Sequence, residues 1–283
     1  MKKLLSILLT LLLVVFPSLT GCSSGSTSNS AKSSTSETEY ADDAFIKSLS
    51  KGLEKRWSLN DDYNTKLANG TIKDGSSEQK EAFESWVNTE LDEIEKYRNE
   101  PFENADLQQT ALAYINALND QRNALDEWGT DKFSEDWSKA YDERTRLLAE
   151  LADNYNLTVS DKYKDQLDSM KASGKQVQSK EDETDAVKAL ADSFSFEQTA
   201  DDYGYKTYTA TVENNSGYNL KYFYADISLL NNDGTLVETQ YADAENWQNG
   251  QKAQFEFTTD ADFTTTSLTI DSWEDDQGNS SYN

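Results

Sequence analysis

The sequence predicts an α+β protein in two segregated parts, an N-terminal antiparallel helical bundle followed by a small antiparallel β-sandwich. Three observations predict it. Between residues 42 and 155, apolar side chains recur every three or four positions, which is the period of one helical face. From Phe194 onward they alternate with polar ones, which is the period of a strand with one face buried. The two regimes do not interleave, and an α/β fold would need alternating helices and strands.

The chain opens with a leader. Lys2 and Lys3 make a positive start, and Leu4 to Phe16 is an apolar run broken by Ser6 and Thr10. The run is shorter than the roughly 20 residues that cross a bilayer, and small residues follow at once. Leu19, Thr20, Gly21 and Cys22 come next. This order of basic pair, apolar run and Leu-x-Gly-Cys resembles the lipobox of bacterial lipoproteins. The resemblance implies removal of residues 1–21 and a diacylglyceryl thioether on Cys22. Two acyl chains anchor a protein firmly, whereas one binds only marginally.

Residues 22–41 read as the lipidated cysteine and a tether. Ser23 to Glu39 is rich in Ser and Thr and has no aromatic residue, so it has little apolar surface to bury. A flexible coil of that length spans roughly 20–25 Å, enough to clear lipid headgroups.

The bundle is assigned to residues 42–155. Phe45, Leu49, Leu53 and Trp57 predict a first helix over 42–57. Asn69-Gly70 and Asp74-Gly75 are loop signals. Ser76 with Gln79 three positions on resembles a capping box, opening a second helix that stops before Pro101. Leu107, Ala111, Tyr114, Ile115 and Leu118 predict a third over 104–128, closed by Gly129. Phe133, Trp137, Tyr141, Leu148 and Leu151 predict a fourth over 132–155. Arg56, Arg122 and Arg144 lie on or beside these stripes. They read either as a buried anion or ligand site, or as snorkelling side chains with paired heads.

Residues 156–193 read as a helical and charged connector, with a short helix running from Ser160 through Met170 and ending near Gly174. Residues 194–283 form the β part and a C-terminal tail. Phe194 and Phe196, then Tyr208, Ala210 and Val212, then Phe223, Ala225, Ile227 and Leu229 each alternate with polar partners. Phe255 with Phe257, and Leu268 with Ile270, repeat the pattern. Turn clusters at 215–217, 231–234 and 249–250 separate the runs, so about six short strands are expected.

Residues 212–217, 227–234 and 246–252, with Phe255-Glu256-Phe257, resemble the FxLYD domain of Gram-positive lipoproteins. The likeness covers roughly residues 194–274. It implies an immunoglobulin-like sandwich and no catalytic residues. The naming tetrad is altered here: Ile227 stands for its Phe, and Leu230-Asn231 for its Tyr-Asp.

Composition narrows the function. The formal net charge is −26, and loss of Lys2 and Lys3 with the leader would make it two units more acidic. Such a chain is a poor nucleic-acid binder, because that binding rests on Lys and Arg neutralising phosphates. It should also stand off an anionic membrane, held there only through the lipid on Cys22. There is no histidine and one cysteine, so no disulfide, histidine base or thiolate metal cluster is available. No P-loop, dinucleotide fingerprint, nucleophile elbow or calcium loop is present. No cofactor and no metal are expected.

The sequence therefore predicts a lipid-anchored, non-enzymatic binding module on the extracellular face of the cell membrane. Two alternatives stay open: the solute-binding component of a transporter, and a carboxylate-based envelope hydrolase. For the binding surface, period two puts Tyr222 and Tyr224 opposite the apolar face of their strand. With Trp247 they are candidates for contact with an envelope protein or glycan. The plainer reading of these rings is packing against neighbouring strands.

Overall fold

Five helices precede seven strands within residues 39–282, those that the computed structural model describes. Leu19, Thr20, Gly21, Cys22 and most of the proposed tether lie outside the described residues. No helix among the described residues is long and apolar enough to cross a membrane.

Helix α1 (Asp42–Ala68) continues well past the predicted end at residue 57. Its extension carries few apolar residues and is held by Tyr63, whose ring meets Trp86 edge-on at 5.0 Å. Helix α2 (Ser77–Ile94) starts as expected: the Ser76 hydroxyl accepts from Gln79 N–H. The Gln79 amide turns away from a reciprocal cap, accepting from Gly75 N–H and donating to Tyr63 and Asp74. Helices α3 (Ala105–Ala124) and α4 (Asp131–Asn154) open on the side chains of Asn104 and Thr130. Successive helices pack side by side through short connections, and the start of one lies against the end of the next. Tyr97, beyond α2, donates to the Ala44 carbonyl near the start of α1. Thr110, early in α3, bonds Glu150, late in α4.

The connector prediction needs correction. Residues 164–188 form one continuous helix, α5 (Lys164–Lys188), which does not stop at Gly174. It lies along α4 and completes the bundle. Gly174 is buried there, and a Cβ at that position would fall 2.4 Å from the Thr145 carbonyl oxygen. The glycine marks a close helix crossing, where the sequence suggested a helix end.

The β part forms two antiparallel sheets. Strands β1 (Glu197–Asp202), β2 (Tyr205–Glu213) and β5 (Lys252–Thr259) run in the order β1-β2-β5. Strands β3 (Leu220–Leu230), β4 (Leu236–Trp247), β6 (Thr265–Asp275) and β7 (Ser280–Tyr282) run in the order β4-β3-β6-β7. Phe223, Ala225, Ile227 and Leu229 are all buried, as period two requires. They share one core with Ala210, Val212, Phe255, Phe257, Ile270 and Trp273 from both sheets.

Three details differ from expectation. Phe194 and Phe196 precede β1 and cover the core from outside a strand. Strand β4, with its weak alternation, was not foreseen. The sandwich core also takes Val187 from α5 and Leu190 just after it, so a boundary at residue 194 cuts through packed side chains.

Candidate functional site

Two places gather chemistry-bearing side chains, one on the sandwich and one inside the bundle.

On the sandwich, the outer face of the four-stranded sheet carries Tyr222 and Tyr224. Tyr222 is 38% exposed, and Tyr224 is half-buried because Tyr241 from β4 stacks on it at 5.6 Å. Tyr241 itself is 54% exposed, so three rings share this face. Cross-strand register explains the grouping. Tyr222 pairs with Glu245, Tyr224 with Asp243, and Asp226 with Tyr241, and paired residues project to the same side. The rings therefore stand among carboxylates. Partial burial, with Tyr241 and Asp226 beside it, pushes the Tyr224 hydroxyl above its ordinary value. Tyr241 belongs to the strand that sequence periodicity missed. Only register could place it.

Trp247 does not belong to this face, which corrects the sequence expectation. It is 2% exposed. Its indole N–H donates to the Gln251 carbonyl at 2.8 Å, and its ring meets Phe223 and Phe255 edge-on at 5.3 Å. The neighbouring turns explain its position. Asn214, fully buried, donates to the Tyr218 and Trp247 carbonyls and accepts from Ser216 N–H. Residues 212–217 and 246–252 thus serve as a structural clasp.

Inside the bundle, Arg56, Glu90, Tyr114 and Arg144 meet, one from each of α1 to α4. Glu90 is fully buried, and Arg56 and Arg144 are nearly so. Arg144 Nη2 donates to both Glu90 oxygens at 2.9 and 2.8 Å, and Arg56 Nη1 donates to Oε2 at 2.9 Å. The Tyr114 hydroxyl donates to Glu90 Oε1. Gln121 faces its carbonyl oxygen to Arg56 at 3.4 Å. Burial opposes ionisation of Glu90, but Arg144, Arg56 and Tyr114 together hold its carboxyl below the usual range. Burial and then Arg144 lower the Arg56 pKa. Burial pushes Tyr114 well up, so its hydroxyl stays protonated and donating. Of the three arginines singled out in the sequence, Arg56 and Arg144 come together and Arg122 does not. Arg122 is exposed and bonds Asn119. Glu90 was missed because acids are too common in this chain for one to stand out.

A cavity of about 190 Å³ opens beside this cluster. Its walls include Arg56, Arg144, Trp57, Trp86, Trp137 and Met170. Among the described residues, no group of three or more acidic or cysteine side chains is placed to hold a metal ion.

In comparisons with protein-family models, curated proteins and solved structures, nothing matches this chain.

Proposed function

We propose that this protein is a lipid-anchored surface lipoprotein and acts as a non-enzymatic binding module at the cell envelope. In this reading Cys22 carries the lipid, with Leu19, Thr20 and Gly21 as its processing signal. The sandwich is an immunoglobulin-like relative of the FxLYD domain. The single observation that carries the binding half is the face of Tyr222, Tyr224 and Tyr241. Exposed tyrosines offer large rigid contact area with a polar tip, and they are enriched where proteins bind. An acidic surface serves solubility, but solubility does not call for three aromatic rings on one face. The partner is an envelope protein or glycan, and Asp226, Asp243 and Glu245 favour one that is basic or rich in hydroxyl groups.

Two experiments test the two halves. Cys22→Ala should release the protein into the medium or leave it as uncut precursor. Mature-size Cys22→Ala protein retained in the membrane would contradict the anchor. For the contact face, Tyr222→Ser with Tyr241→Ser should keep the fold and lower retention on purified cell-wall preparations at least tenfold. Unchanged retention would remove the tyrosine face as the site.

A further inference from the structure

The Arg56–Glu90–Arg144 cluster has one charge too many. Both arginines ion-pair with Glu90, and no other carboxylate among the described residues pairs with either. Tyr114 is neutral, and Gln121 contributes a dipole but no charge. The cluster therefore holds a net positive charge at a site where Glu90 is fully buried and Arg144 is 1% exposed. A buried charge without a counter-charge is costly, and water can satisfy hydrogen bonds but cannot neutralise it. Arg144 Nε is buried and has no hydrogen-bond partner among the described residues, and neither has Gln121 Nε2.

The cavity lies against these groups. Arg56 and Arg144 form part of its wall, and most of the rest is aromatic. Phe83 stacks between Trp86 at 4.6 Å and Trp137 at 5.0 Å, which fixes those two rings as flat walls. Tyr141, exposed, and half-buried Gln166 and Met170 also line the cavity, so it is reached from outside between α4 and α5. An apolar cavity of roughly 150 Å³ is known to suffice for a benzene ring. The space here, about 190 Å³, suits a single ring with a small charged group.

We propose that this cavity binds a small organic monoanion with a flat apolar body. Its carboxylate neutralises the surplus arginine charge, and its ring lies among Trp57, Trp86 and Trp137. Guanidinium groups suit a planar carboxylate, since they offer paired donors in one plane. The proposal is independent of the anchor and of the tyrosine face.

The test titrates the full chain with benzoate and with benzamide, its uncharged counterpart of nearly the same shape. Binding is followed by calorimetry and tryptophan fluorescence, and stability by thermal unfolding. Benzoate should bind at one site, change tryptophan emission and raise the melting temperature, with benzamide at least tenfold weaker. Met170→Trp, which fills the cavity from its rim, should abolish benzoate binding while the circular dichroism spectrum is unchanged. If that variant does not fold, Trp137→Ala replaces it and should weaken benzoate at least tenfold. Failure of benzoate to bind, equal affinity for benzamide, or full binding by a folded cavity variant would each overturn the proposal. So would inorganic phosphate stabilising the protein where benzoate does not.

Discussion

Glu90 is the residue on which the bundle interior turns. It accepts from two arginines and a tyrosine that come from three other helices. Removing the negative member of such a cluster leaves two buried guanidiniums without a counter-charge. Glu90→Gln should therefore cost about 3–5 kcal/mol in urea unfolding. Arg56→Met should cost less, under roughly 2 kcal/mol, because Arg144 and Glu90 remain as a neutral pair with a long apolar side chain beside them. Equal losses would show that the two arginines do not share one charge. At this scale the sequence was legible in part. Arg56 and Arg144 stood out as basic residues on apolar stripes. Glu90 did not, being one of 52 acids, and its role comes only from being surrounded. Trp247 misled for the opposite reason. A tryptophan beside a turn is a natural surface candidate, but Asn214 and Gln251 draw this one into the core.

At the scale of the element, the α4–α5 crossing is the least expected feature. Helix propensity alone says that Gly174→Ala should stabilise α5 by about 1 kcal/mol. Packing says otherwise, since the new methyl would lie 2.4 Å from the Thr145 carbonyl oxygen and 2.7 Å from Ala149 Cβ. Overpacking against backbone typically costs ~1–3 kcal/mol and here outweighs the propensity gain. The variant should melt at a lower temperature than the parent, and a rise would mean that the helices separate freely. The same competition explains the connector that the sequence predicts. Local rules make glycine a helix end, and only a neighbouring helix can make it a contact. In the sandwich, the alternation of β3 was legible because one of its faces is wholly buried. Strand β4 was not. It lies at the edge of its sheet, and only Ala242 and Trp247 along it are buried.

At the scale of the molecule, helix α5 meets the sandwich at Glu183. Its side chain is 2% exposed, accepts from Asn279 at 3.1 Å and lies near Asp275 at the end of β6. Burial, with the Asp275 carboxylate acting in the same direction, pushes the Glu183 carboxyl up to about 7. The folded state therefore keeps this proton to higher pH than the unfolded chain does. Its stabilising effect is full below the unfolded value and is lost as pH rises through about 7. Stability should fall by about 1–3 kcal/mol between pH ~5 and pH ~8. Glu183→Gln should flatten that slope and exceed the parent in stability at the higher pH. An unchanged slope in the variant would place the titration elsewhere. No sequence signal marked this contact, because the two carboxylates are about ninety positions apart and meet only through the docking of α5 on the sheet.

By itself the sequence determined what depends on neighbours along the chain: helical and strand periods, their segregation, the Ser76 cap, the turns and the alternation of β3. It also carries the lipobox likeness, which is a local pattern. The tertiary structure decided what depends on residues far apart: that α5 is continuous, that Val187 and Leu190 belong to the sandwich core, that Tyr241 joins Tyr222 and Tyr224, and that one glutamate faces two arginines. The physical reason is that backbone period is set by local sterics and hydrogen bonds. The burial of a charge, or the space for a methyl group, is set by whichever element packs across from it.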